Sequence, residues 1–114
     1  MQFERCFAYV EAGVDGIMIH SKEKSGEDIK EFCHQFRAKY ADVPIVVVPT
    51  TYNQFTEEEL ASWGINVVIY ANHMLRASYP AMMNCAKSIL MHSRSKEASA
   101  EYCMPIKEIL ELIP

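Results

Sequence analysis

Three short polar phrases each follow an apolar run and hold groups suited to binding an anion. They are His20-Ser21-Lys22, Pro49-Thr50-Thr51-Tyr52 and Ala71-Asn72-His73. An imidazole donates to a phosphoryl or carboxylate oxygen when protonated, and it moves protons near neutral pH. Ser21, Thr50 and Thr51 add hydroxyl donors, and Asn72 adds an amide. For His20 two readings stand side by side: an anion ligand, or an imidazole that caps a strand end by bonding a carbonyl. Asn72 reads first as a helix N-cap, His73 as a packing or solvent residue, and the threonines as groups bonding their own turn. Tyr52 suits packing, and Lys22 and Lys24 suit a solvated loop.

Other chemistries lack their patterns. His20, His34, His73 and His92 have no HExxH spacing, and no carboxylate ends a strand, so no metal site is visible in the chain. Neither a Ser-His-Asp nor a Cys-His arrangement is supported. The four glycines stand apart, with no GxGxxG or GxxxxGK loop.

The three phrases need strands to carry them. Residues 16–20 (GIMIH), 44–49 (PIVVVP) and 67–71 (VVIYA) are rich in Val and Ile and do not alternate with polar residues. Such runs predict parallel strands covered on both faces. Each follows a helical segment that ends in a break, with Gly13 and Gly64 where a helix C-terminus favours positive φ. Residues 27–40 carry Ile29, Phe32, Cys33 and Phe36 on one stripe. Thr56 and Glu59 form a capping-box pattern before a helix over 56–63. Residues 72–92 predict a longer helix, with a kink or break expected near Tyr79-Pro80 because proline cannot donate to the ladder. Its apolar positions, Met82, Met83 and Ile89 among them, exceed one stripe, which predicts a second covered face against a partner subunit; the alternative is a kinked helix packed twice within its own subunit, by the barrel wall and by residues 105–112. Residues 93–104 read as a polar linker, and residues 105–114 as a last helix opened by Pro105.

Composition narrows the class. One domain fits in 114 residues, and 50% hydrophobic with 23% charged residues is the balance of a folded chain. A net charge of −4 offers no field for a nucleic acid backbone. No apolar run reaches the ~19 residues of a membrane span. Cys6, Cys33, Cys85 and Cys103 contain no CxxC pair and read as reduced thiols, which places the expected location in the cytoplasm. Cys33 and Cys85 are expected to pack as small apolar groups.

The alternation of helix and strand implies parallel strands with right-handed crossovers. The first strand is preceded only by a helical pattern, and three strands alone leave two open edges. The reading that follows is the back part of a larger α/β barrel; the alternative is a small flavodoxin-like domain completed by self-association. In either fold, ligands sit beyond the carboxyl ends of the strands, where the three phrases lie.

At those strand ends the sequence resembles a known family. "EAGVDGIMIHSK", "VPIVVVPTTY" and "GINVVIYANHMLRA" are similar to the closing βα units of phosphoenolpyruvate mutases, within the isocitrate lyase superfamily. "PIKEILEL" resembles the helical end of the same enzymes. The resemblance implies the C-terminal portion of a (β/α)8 TIM-type barrel, with three parallel strands and a last helix exchanged between subunits. Residues 1–92 would be the closing βα units, 93–104 the linker and 105–114 the C-terminal helix. It also implies Mg²⁺-dependent interconversion of phosphoenolpyruvate and phosphonopyruvate, small anionic substrates, in a homodimer or homotetramer. The histidine of the "HSK" phrase, His20, would contact the migrating phosphoryl group, with Ser21 beside it and Thr50 and Asn72 further out. The Mg²⁺ ligands and the phosphoryl-clamping arginine belong to the first half of such barrels, so Arg76 is not that clamp and the isolated chain is expected to be inactive. Phosphonopyruvate hydrolases are close relatives. A non-catalytic half-barrel serving oligomerisation or anion binding is the reading from a different class.

Overall fold

A computed structural model describes residues 2–113, in which helix α1 (Gln2–Glu11) leads into strand β1 (Ile17–Ile19). Helix α2 (Glu27–Lys39), strand β2 (Ile45–Val47), helix α3 (Glu57–Ser62) and strand β3 (Val67–Val68) follow in alternation. The strands form one parallel sheet in the order β1-β2-β3, with Met18 beside Val46 and Val46 beside Val67. The chain up to Ala71 makes one compact unit, and a helical unit starts at Asn72.

Helix ends follow the local chemistry. At α1, Gly13 adopts φ +98°; its N–H bonds the Val10 carbonyl while the Val14 N–H reaches back to Tyr9. Gly64 does the same after α3 at φ +91°, with Gly64 bonding Ala61 and Ile65 bonding Leu60. Both patterns close the last carbonyls of a helix, and glycine takes the left-handed position without a Cβ penalty. Helix α3 starts on the expected capping box: Glu59 N–H donates to Thr56 Oγ1 at 3.1 Å and Thr56 N–H to Glu59 Oε2 at 2.7 Å.

The core lies on one side of the sheet. Ile17, Ile19, Ile45 and Val47 pack with Ile29, Phe32, Cys33 and Phe36 of α2, Leu60 of α3 and Cys6 of α1. Phe3, Phe7 and Tyr40 extend this cluster through ring contacts with Phe32 and Phe36. The opposite side is open: Met18 is 64% exposed, and Val67 and Ile69 are exposed as well. Cover on both faces, expected from the unbroken apolar runs, is therefore present on one face only. Three strands do not curl far enough to bring other strands over their second face.

Arg37 fastens the entries of β2 and β3. Its guanidinium donates to the carbonyls of Val43 at 2.7 Å, Tyr40 at 3.0 Å and Gly64 at 2.6 Å. It also donates to Asn66 Oδ1, the oxygen that accepts from the Ile45 N–H. A planar five-donor group satisfies several turn carbonyls at once, which an ammonium could not.

The second unit contains α4 (His73–His92), α5 (Lys96–Glu101) and α6 (Ile106–Leu112). Helix α4 runs unbroken through Pro80. The proline removes one ladder bond, but its fixed φ is already helical, so the expected break does not occur. Residues 96–101, read from sequence as linker, form α5, which packs on α4 and buries Ala98 and Ser88. Arg94 donates to Glu97 at 2.9 Å, and His92 Nδ1 lies 2.8 Å from the Ser88 carbonyl. Ser93 takes φ +52° after α4, a turn into α5 that the polar composition concealed.

Candidate functional site

Strands β1 and β2 are parallel, so their carboxyl ends and the loops behind them meet at one rim of the sheet. Strand alternation continued past Ile19 places His20 on the open side with Met18 and turns Ser21 toward the helices. His20 is exposed, whereas Ser21 is 4% exposed. The Ser21 hydroxyl donates to Asp28 in the first turn of α2 and accepts from the Glu23 N–H at 3.0 Å. Asp28 accepts in addition from the Ile29 N–H at 2.9 Å, a favourable place for a carboxylate beside the positive end of the helix. Ser21 thus pins the loop to α2, and His20 is the group left facing outward.

Behind β2, Thr50 N–H bonds the Val48 carbonyl at 2.8 Å, a tight turn that leaves Thr50 and Thr51 half-buried. Tyr52 then drops fully into the core. Gln54 Nε2 donates to the Lys24 carbonyl at 2.8 Å and joins this loop to the one behind β1. Phe55 lies over Gly26 and packs edge-on against Trp63. His20 and the Thr50 turn therefore stand on two loops tied to each other.

Behind β3, Tyr70 donates to Glu57 at 2.7 Å. Asn72 begins the second unit and takes the N-cap position of α4 through its carbonyl, which accepts from Arg76 N–H at 3.0 Å. Its amide makes no capping bond, so the expected role is filled by the backbone alone. His73, the first residue of α4, is half-buried.

The residues that sequence reasoning missed are Asp28 and Arg37. Asp28 was visible as an acidic first-turn residue, but nothing local paired it with Ser21. Arg37 resembled an ordinary basic residue in a last helical turn. Outside the strand ends, a groove of about 840 Å³ between α2 and α3 is lined by Lys30, His34, Arg37 and Trp63 among others. It lies on the helix side, and its Arg37 is already engaged by carbonyls. Among the described residues no group of three His, Cys, Asp or Glu side chains is placed to hold a metal ion. No helix among them is long and apolar enough to cross a membrane.

This arrangement of three parallel strands with helices on one side matches solved enzymes. A sequence profile described as phosphoenolpyruvate phosphomutase matches residues 1–90, most of the chain. The chain belongs to the phosphoenolpyruvate phosphomutase family. A phosphoenolpyruvate phosphomutase from Streptomyces platensis subsp. rosaceus superposes with a TM-score of 0.82 at 34% identity, over 96% of this chain and 37% of that one. A phosphonopyruvate hydrolase solved in complex with oxalate and Mg²⁺ superposes at 0.79 with 37% identity, covering 96% and 38% respectively. In sequence, the phosphonopyruvate hydrolase of Variovorax sp. (strain Pal2) is 39% identical over 92% of this chain. The chain spans about a third of the length of that relative, 35%. The matched residues of the family profile include His20, Ser21, Thr50 and Asn72. Among the described residues no three His, Cys, Asp or Glu side chains converge as a Mg²⁺ site would need.

Proposed function

We propose that this chain supplies the closing βα units of a phosphoenolpyruvate mutase-type enzyme, and that His20 contacts the phosphoryl group of the substrate. The supporting observation is the exposed imidazole at the end of β1, set on the open side of the sheet while its neighbour Ser21 is held by Asp28. In the proposed reaction a phosphoryl group moves between the enol oxygen of phosphoenolpyruvate and the methylene carbon of phosphonopyruvate. A protonated His20 would donate to a phosphoryl oxygen as charge redistributes, and the loop ties through Gln54 and Asp28 would hold it in place. Ser21 then acts by fixing the loop, with Thr50 and Asn72 as weaker candidates for the substrate. Mg²⁺ would supply charge stabilisation from residues outside those described, and the second unit would carry subunit exchange, with Met82 and Ile89 of α4 exposed for it. We propose residues 1–92 as the barrel part and 105–114 as the terminal helix.

A second reading, hydrolysis of phosphonopyruvate, is favoured by the 39% identity to a phosphonopyruvate hydrolase. Phosphorus NMR separates the two. A complete barrel containing this chain, supplied with Mg²⁺, should interconvert phosphoenolpyruvate and phosphonopyruvate and should lose at least about a hundredfold in rate on His20→Ala. The chain alone should be silent. Release of orthophosphate from phosphonopyruvate would select the hydrolase, and full activity of His20→Ala would remove His20 from the site.

A further inference from the structure

Cys85, expected from sequence to pack as a small apolar group, has a second thiol, that of Cys103, beside it. Cys85 is half-buried on α4, and Cys103 is exposed in the non-helical stretch between α5 and α6. Their sulfur atoms lie 3.7 Å apart, although 18 residues separate them in the chain. By contrast, Cys6 and Cys33 are buried in the core of the first unit.

We propose that Cys85 and Cys103 are a redox pair that closes into an intrachain disulfide in the presence of a hydroperoxide. Two thiols already in contact have less than about 2 Å to close to reach the ~2.05 Å of an S–S bond. Cys103 sits in an irregular segment, so its backbone can follow. Cys85 shares a row of α4 with Ser88 and His92, at i, i+3 and i+7, and this is the row on which α5 packs. Closure therefore takes place inside the second unit and does not depend on the exposed apolar side of α4. Cys103 is exposed where Cys85 is half-buried, so Cys103 is the first to meet the peroxide; its hydrogen bond to Cys85, and then burial, hold the Cys85 thiol above its ordinary range.

The chemistry balances. Cys103 gives up its proton and the thiolate attacks one oxygen of hydrogen peroxide; the O–O bond breaks, and the leaving hydroxide takes up that proton, giving a sulfenic acid and water. The Cys85 sulfur then attacks the Cys103 sulfur; an S–S bond forms, the S–O bond breaks, and hydroxide leaves to take up the thiol proton as a second water. The thiols together lose two electrons and two protons, and one hydroperoxide is reduced. The bridge would tie the middle of α4 to the segment that launches α6, fixing where the last helix departs.

The test is peptide mapping of the full chain after hydrogen peroxide, with free thiols alkylated before tryptic digestion. The expected product joins the peptide of residues 77–87 to that of residues 97–107, two hydrogens lighter than their sum and separated again by a thiol reductant. Mixing the chain with a nitrogen-15-labelled copy should give only like-with-like pairs. Cys85→Ser should abolish the joined peptide and drive Cys103 on to sulfinic acid. Alkylated Cys85 and Cys103 after peroxide, sulfinic acid at Cys103 of the unaltered chain, or mixed-isotope pairs would each overturn the proposal.

Discussion

Tyr52 is wholly buried, yet its hydroxyl finds no hydrogen-bond partner among the described residues. An unpaired buried hydroxyl carries a desolvation penalty of ~1–3 kcal/mol. Tyr52→Phe should therefore match the parent in stability or exceed it by about 1 kcal/mol. Burial first, then the nearby Cys33 and Asp28, pushes the phenol from 10.0 to about 12. Burial likewise moves the Cys33 thiol from 9.0 to about 11, against the opposing charge of Arg37. Both groups are neutral when protonated, so the unfolded chain releases these protons first. Their stabilisation is complete below the unfolded values and is lost as pH rises through the folded ones. Urea titrations across the alkaline range should show stability falling, with a shallower fall above pH 10 in Tyr52→Phe. An unchanged slope in that variant would assign the titration to another group.

The loops behind β1 and β2 are held by close packing as well as by hydrogen bonds. Gly26 has φ +71°, and a Cβ placed there would clash with the Phe55 ring at Cε2. Gly13 has a similar φ of +98° but open space around it. The two glycines separate backbone strain from steric crowding. Gly13→Ala should lower stability by ~1 kcal/mol, the strain alone. Gly26→Ala should lower it by ~2–4 kcal/mol, since overpacking adds to the strain. In a Phe55→Ala background the excess at Gly26 should disappear in a double-mutant cycle measured by denaturant unfolding. Equal effects at both glycines would mean that Phe55 swings aside freely. Because Gly26 starts α2, loosening it would also release Asp28 and, through Ser21, the mounting of His20.

Taken as a whole, the chain leaves much apolar surface in water. The open side of the sheet shows Met18, Val67 and Ile69, while Met74 and Leu90 of α4 are 80% and 81% exposed. Apolar areas of this kind mark surfaces that other protein covers. The isolated chain is expected to self-associate or to unfold without cooperativity, and sedimentation velocity over a concentration series should show species heavier than one chain. A compact monomer with a sharp unfolding transition would contradict this. The same surface explains why the alternating pattern expected of a half-covered sheet is missing: the strands are written for cover on both sides, and these residues provide it on one.

What the sequence determined by itself was local. Gly13 and Gly64 closed their helices, Thr56 and Glu59 opened α3, and the Val- and Ile-rich runs became parallel strands, because each depends on residues within a turn or two. The three polar phrases at strand ends were legible for the same reason. Tertiary structure decided the rest. Ser21 was drawn to Asp28 seven residues on, Arg37 to Gly64 across 27, and Cys85 to Cys103 across 18. It also set His20 outward and left the Tyr52 hydroxyl without a partner. Such outcomes depend on where packed elements bring distant side chains, and no short window of sequence contains that distance.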